Sequence, residues 1–91
     1  MEGNEYEKAL LDLDKVLEID SQSAKAHNRK GAALAALKRY EEALDAYEQA
    51  IRLKPDLADA YYGKGSSLEE LGRQQEADLA YDKARELGYK P

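Results

Sequence analysis

The sequence predicts an all-α fold, a solenoid of antiparallel helix–turn–helix repeats with five helices. Two observations carry this prediction: the sequence repeats itself every 34 residues, and apolar residues within each repeat recur at helical spacing. Residues 24–57 and 58–91 are identical at 13 of 34 aligned positions. Self-similarity at a fixed period indicates repeats that stack and bury one continuous core. The identical pairs are Ala24/Ala58, Ala26/Ala60, Lys30/Lys64, Gly31/Gly65, Leu34/Leu68, Leu37/Leu71, Arg39/Arg73, Glu42/Glu76, Ala43/Ala77, Ala46/Ala80, Tyr47/Tyr81, Ala50/Ala84 and Leu53/Leu87.

The first helix is predicted over residues 5–19. A further shift of 34 residues aligns the segment 6–10 with the segment 40–44, which share Tyr, Glu, Ala and Leu at the same places. The apolar stripe then continues at three- and four-residue steps, as an amphipathic helix requires. Because the match is to the second helix of the later repeat, we expect residues 5–23 to form a half repeat.

The middle repeat, residues 24–57, is predicted to contain helices over 24–37 and 40–53. Apolar residues recur every three or four positions in both segments. Ser21 and Ser23 can cap the first of these helices, and Pro55 cannot continue the second.

The last repeat, residues 58–91, is predicted to contain helices over 58–71 and 73–87. Asp56 is expected to cap the first of these helices. Gly72 and Gly88 stand where a left-handed residue ends a helix. Together the units make residues 1–91 a single domain.

These positions resemble the tetratricopeptide repeat family, which has small residues where paired helices meet, a large aromatic residue on the second helix and a proline after it. The resemblance covers residues 6–91. It implies a right-handed superhelix whose concave wall, formed by the first helices, binds a peptide. The sequence departs from the family where Lys30 and Lys64 replace a common leucine and His27 replaces a frequent aromatic residue. The matching positions are Gly31, Gly65, Ala43, Ala77, Ala50, Ala84, Tyr47, Tyr81 and Pro55.

The resemblance also names candidate residues for the concave wall. Lys25 and Arg29 have the spacing of a clamp that holds the C-terminal carboxylate of a chaperone tail, although the family's clamp needs two preceding repeats as well. The alternative is that both cations belong to a solvated helix face. The predicted peptide-binding residues are Lys25, Asn28, Arg29, Ala32, Asp59, Tyr62, Ser66 and Glu69, with Ala35, Ala36, Gly63 and Glu70 on the same wall.

The two ends of the predicted stack differ. The resemblance implies that part of each second helix packs on the next repeat. The aligned residues there are Leu10, Leu44 and Asp78 at one position and Leu17, Ile51 and Arg85 at another, so a polar outer face is expected for the third unit. At the N-terminal end an apolar stripe lacks its partner helix. Either the chain is excised from a longer array, or the stripe is buried by self-association or by a partner helix. The stripe consists of Tyr6, Ala9, Leu13 and Val16.

Composition disfavours several other functions. The formal net charge of −5 argues against nucleic acid, and no apolar run is long enough to span a bilayer. With no signal-type N-terminus and no cysteine, a soluble cytoplasmic protein is expected. His27, the single histidine, has no set of partners for a metal or for catalysis, so neither a cofactor nor an enzyme is predicted. The predicted function is a peptide-binding interaction module, and the alternative is a self-associating structural element.

Overall fold

The computed structural model describes residues 2–90, with side chains from Glu5 onward, and forms five α-helices with no strand among these residues. The prediction of five helices is confirmed. Four helices end within a residue or so of the predicted bounds, and the first begins three residues earlier because its backbone continues beyond the apolar periodicity. The helices are α1 (Glu2–Ile19), α2 (Ala24–Ala36), α3 (Tyr40–Leu53), α4 (Ala58–Glu70) and α5 (Gln74–Glu86).

Helix α2 has the side-chain cap that the sequence predicts. The Ser23 hydroxyl accepts a hydrogen bond from the Ala26 N–H at 3.1 Å, which satisfies one of the free amide groups of the first turn. The prediction that Asp56 caps α4 is wrong. Leu57 is the N-cap residue there, no side chain caps the helix, and Leu57 instead packs against the core.

Helices α3 and α5 begin with a repeated arginine–glutamate pair. Arg39 donates two hydrogen bonds to the Glu42 carboxylate, both at 2.8 Å. Arg73 and Glu76 repeat this arrangement at 2.8 and 2.9 Å. Each arginine lowers the pKa of its glutamate, mainly through these hydrogen bonds. The pairs lie in the first turn of each helix, where the macrodipole also favours a carboxylate.

Helices α2, α4 and α5 end in the same left-handed turn. The φ angles are +79° at Gly72 and +97° at Gly88, as predicted, but α2 places Lys38 in this conformation at +63°. Behind the turn the N–H of Arg39 donates to the Leu34 carbonyl at 2.9 Å, which is the pattern of a Schellman motif. Lys38 therefore adopts a backbone conformation that costs an L-residue with a side chain more than it costs glycine.

The five helices stack in chain order. Each helix packs on the next one, and α2 also contacts α4, so the two first helices of the full repeats lie side by side. The described residues measure 32 × 27 × 20 Å. The wall formed by α2 and α4 is the surface on which the sequence places the candidate binding residues.

Tyr47 is the centre of the larger core cluster. It is 5% exposed, and the alanines beside it on α3, Ala43 and Ala50, are completely buried. A Cβ atom on Gly31 would lie 2.8 Å from the Tyr47 ring, and one on Gly63 would lie 2.3 Å from its Cζ. Gly63, which was expected on the open wall, therefore faces α3, because only a bare α-carbon leaves room for this ring.

A second cluster joins α3 to the last repeat. Leu44 of α3 is buried with Leu68 of α4 and with Ala77 and Ala80 of α5. The prediction that this position packs on the following repeat is thus confirmed for α3. The Ser67 hydroxyl of α4 is also buried, and among the described residues it has no hydrogen-bond partner.

Ion pairs connect successive repeats at the two lysines that depart from the family pattern. Lys30 of α2 lies 3.0 Å from Asp14 of α1, and Lys64 of α4 lies 3.7 Å from Glu48 of α3. Both pairs are partly exposed, so each contributes little stability, on the order of 1 kcal/mol or less. The lysines replace apolar packing by a repeated charge contact between neighbouring units.

Candidate functional site

A groove between α2 and α4 gathers four of the predicted wall residues. Its volume is about 410 Å³. Lys25 and Arg29 are four residues apart on α2 and share one helix face. The groove is lined by Lys25, Asn28, Arg29, Lys54, Leu57 and Asp59.

The electrostatics of this α2–α4 groove are predominantly positive. Lys25, Arg29 and Lys54 contribute three cations, and Asp59 contributes one carboxylate. In the described part of the chain none of these three cations forms a salt bridge. Ammonium and guanidinium groups are strong donors to carboxylates, so the groove is suited to an acidic ligand.

Lys54 is a groove residue that the sequence reasoning missed. It is the C-cap residue of α3, where a cation also complements the helix macrodipole. In the 34-residue repeat its position follows the second helix, and the turn after this helix leads directly into α4. Because this turn is short, a residue in it must lie near the start of α4, and this could have predicted Lys54 as a groove residue.

On the α4 side of the predicted wall, tyrosine side chains contact one another and a glutamate. The Tyr62 ring, which is 37% exposed, stacks on Tyr89 with centroids 4.4 Å apart and contacts Tyr81 at 5.2 Å. The Tyr81 hydroxyl donates a hydrogen bond to Glu69 at 2.8 Å. Burial and this hydrogen bond raise the pKa of Tyr81 to about 12. Tyr62 and Glu69 are thus engaged within the chain, and Tyr89 was not foreseen in this role.

Ala32 lies at a different groove, between α1 and α2. Here the predicted N-terminal stripe is partly open: Tyr6 is 40% exposed and Val16 is 45% exposed, while Ala9 and Leu13 are half-buried. This α1–α2 groove has a volume of about 420 Å³. It is lined by Tyr6, Ala9, Asp12, Leu13, Arg29, Ala32 and Ala33.

The outer face of α5 carries the polar residues expected at the end of the stack. Asp78 and Arg85 are both exposed, where the equivalent Leu44 is buried. Leu79, next to Asp78, is 70% exposed. The face is therefore polar at the two predicted positions and apolar at a third.

The only histidine has a structural contact. His27 is half-buried, and its Nε2 lies 3.1 Å from the Ser21 carbonyl oxygen. Among the residues that the structure covers, no group of three His, Cys, Asp or Glu side chains has the arrangement of a metal site. No helix in this part of the chain has both the length and the apolar character needed to cross a bilayer.

Comparisons with known proteins agree with this geometry. The profile of the TPR repeat matches residues 31–72, and a second profile, Tetratricopeptide repeat, matches residues 58–87. Together they span more than half of the chain. A search of curated proteins gave no match.

Solved structures show the same fold. MamA AMB-1 is 34% identical with a TM-score of 0.85, and the alignment covers 91% of this chain and 49% of that one. MamA MSR-1 is 32% identical with a TM-score of 0.86. The chain spans about half the length of these MamA chains.

A third similar structure is the second TPR of Spaghetti (RPAP3) bound to the HSP90 peptide SRMEEVD. It is 26% identical with a TM-score of 0.88, and the alignment covers 90% of this chain and 76% of that one. The repeat period, the glycine and alanine contacts between paired helices, the two profile matches and these structures agree. The chain belongs to the tetratricopeptide repeat family.

Proposed function

We propose that this chain is a protein-interaction module that holds an acidic peptide segment in the α2–α4 groove. The observation that carries the proposal is the set of three cations, Lys25, Arg29 and Lys54, around one cavity of about 410 Å³. Because no salt bridge in the described chain occupies them, their charge is available to a ligand. Asn28 adds an amide that can both donate and accept.

Asp59 restricts which ligands fit. Its carboxylate lines the same groove and repels a ligand carboxylate that approaches α4. We therefore expect the acidic part of a bound peptide to lie over Lys25 and Arg29, with a neutral or basic residue nearer to Asp59. Leu57 provides an apolar contact between the two regions.

The comparison with a peptide-bound structure supports this reading. The second TPR of Spaghetti has the same fold and is bound to SRMEEVD, a peptide with two glutamates and a terminal aspartate. We extend to this chain only the chemical class, an acidic C-terminal segment. A chaperone tail is one member of that class.

We infer also that the chain acts by binding rather than by catalysis. Tetratricopeptide repeats are a non-enzymatic interaction fold, and fold alone indicates a class of function by association. The cytoplasmic location expected from the sequence remains a prediction.

The test is a binding titration with fluorescein-labelled SRMEEVD and the purified chain. We expect saturable binding that the double substitution Lys25→Ala, Arg29→Ala weakens at least tenfold. The matched control removes two exposed lysines of α1, Lys8→Ala and Lys15→Ala, which changes the net charge equally. Equal affinity of parent and groove variant would refute the proposal.

A second arm identifies the part of the peptide that is recognised. If Lys25 and Arg29 bind the terminal carboxylate, amidation of the peptide C-terminus removes most of the affinity. If they bind the glutamate side chains, replacing both glutamates by glutamine has the larger effect. A peptide whose binding is insensitive to both changes would contradict an acidic ligand.

A further inference from the structure

The α1–α2 groove lies beside the proposed peptide site, and Arg29 lines both grooves. We propose that it docks an amphipathic helix whose contact face has small residues and a cation at the spacing of α2. The groove holds about 420 Å³ and has Tyr6, Ala9 and Leu13 on its α1 side. Within residues 2–90, α1 packs on α2 alone.

The chain itself contains a template for the occupant. Helix α2 covers the corresponding groove one repeat later, since it packs on both α3 and α4. The 34-residue period relates every groove position to its counterpart there. The groove pairs are Tyr6/Tyr40, Ala9/Ala43, Asp12/Ala46, Leu13/Tyr47, Arg29/Gly63, Ala32/Ser66 and Ala33/Ser67.

The template explains the size of the occupant's contact residues. Tyr47 lies against the α-carbons of Gly31 and Gly63, so the covering helix must present a residue without a bulky side chain. In the α1–α2 groove, the smaller Leu13 replaces the tyrosine and the larger Arg29 replaces the second glycine. Arg29 offsets the loss of side-chain volume at Leu13, and we expect the partner helix to carry a small residue at this contact, as α2 does.

Charge complementarity gives the second property. Ala46 of α3 lines a groove together with His27 and Lys30 of α2, and the counterpart of Ala46 in the α1–α2 groove is Asp12. A docked α2-like helix would therefore bring its lysine next to the Asp12 carboxylate. Helix α2 has three cations and no acidic residue, so it has the required charge as well as the required small residues.

The same carboxylate argues against a second copy as the occupant. Two α1 helices paired antiparallel about a two-fold axis present the same flank to each other. Asp12 lies near the middle of the stripe from Tyr6 to Val16, so it would meet Asp12 of the second copy. Like charges held this close disfavour the contact.

The experiment uses a blocked, fluorescently labelled peptide with the sequence of residues 21–38 and the purified chain, followed by fluorescence anisotropy. The titration extends to about 1 mM because a short isolated helix is marginal and must form on binding. We expect saturable binding. A Gly31→Leu peptide is expected to bind at least tenfold more weakly.

Protein variants locate the binding surface. Leu13→Glu and Tyr6→Glu are each expected to weaken binding at least tenfold, and circular dichroism verifies that the variants remain folded. Leu11→Glu is the matched control, since Leu11 is 64% exposed and does not line the groove. A Lys30→Glu peptide should bind poorly to the parent protein and recover its affinity with the Asp12→Lys protein.

Three results would overturn the proposal. The first is no saturable binding of the parent peptide. The second is binding that neither Leu13→Glu nor Tyr6→Glu changes, which would put the peptide elsewhere. The third is a dimer in sedimentation that Leu13→Glu dissociates, which would make a second copy the occupant.

Discussion

The phenol ring of Tyr47 lies directly against the α-carbon of Gly63, so that a Cβ atom on Gly63 would be 2.3 Å from Cζ. The ring also lies against Gly31 on its other neighbour, α2. One side chain of α3 thus determines how closely both first helices approach.

Gly63→Ala is expected to destabilise the protein by about 1–3 kcal/mol, because the added methyl group overlaps the buried Tyr47 ring. In an open helix position the same change stabilises by up to about 1 kcal/mol, so the sign itself is informative. Urea unfolding followed by circular dichroism measures the difference in the free energy of unfolding.

The Tyr47→Leu background is the control for that experiment. It imitates the Leu13 position, where Arg29 replaces the glycine. We expect Gly63→Ala to cost less than about 0.5 kcal/mol there, since the coupling between contacting residues is removed. If Gly63→Ala destabilised the Tyr47→Leu variant as much as it destabilises the parent, contact with the Tyr47 ring would not be the cause of the destabilisation.

Lys38→Gly is expected to stabilise the protein by about 1 kcal/mol, since Lys38 is held at φ +63° in a conformation that costs side-chain-bearing residues about this much. For a domain of this size the melting temperature should rise by about 4–8 °C. Gly72→Lys, at the equivalent turn, should lower it by a similar amount. A melting temperature that falls with Lys38→Gly would contradict the account.

Alkaline pH is expected to destabilise the fold through Tyr47. Burial raises its pKa from 10.0 to about 12, so the folded chain retains a proton that the unfolded chain loses. The stabilising contribution is complete below pH 10 and is lost as the pH rises toward 12. By about pH 11 we expect a loss on the order of 1 kcal/mol.

Tyr47→Phe isolates this effect from the other titrating groups. Urea unfolding of the parent and the variant is compared at about pH 9 and about pH 11. The parent should lose more stability over this interval than the variant does. Equal losses would show that Tyr47 does not ionise differently in the two states.

Lys54→Ala should weaken binding of an acidic peptide about two- to fivefold, the effect of one exposed charge. Added salt should reduce the difference between parent and variant, because it screens exposed charges. Arg52→Ala is the control: Arg52 is exposed on the same helix but does not line the α2–α4 groove. If Arg52→Ala weakened peptide binding more than Lys54→Ala does, the peptide would bind on the other face of α3.

The fold could be predicted almost completely because both full repeats show the same pattern of small and apolar residues at equivalent positions. Positions such as Ala43 and Ala77 show the same small residue at the same helix contact, and both are fully buried. Single turn residues were less predictable. Asp56 has the chemistry of a cap, but the packing of Leu57 against the core decides where α4 begins.

The candidate site could be predicted where its residues lie within helices, and not where they lie in the turns. The spacing of Lys25 and Arg29 places both on one face of α2, and the structure puts both in one groove. Tyr62 also follows the periodicity, yet it stacks on Tyr89 from the end of the chain. Lys54 and Tyr89 come from turns, whose direction depends on tertiary packing rather than on helical period.

The contact of α1 with a single neighbour has a kinetic consequence. A linear stack is stabilised by nearest-neighbour interfaces, so helices with one interface open more often than helices with two. Within residues 2–90, the backbones of α1 and α5 each pack closely on one other helix, whereas those of α2, α3 and α4 each pack on two or more. In native-state hydrogen exchange the amides of α1 and α5 should therefore exchange first, and protection should increase toward α3. Such a gradient would make this short array unfold from its ends inward, not in a single cooperative step.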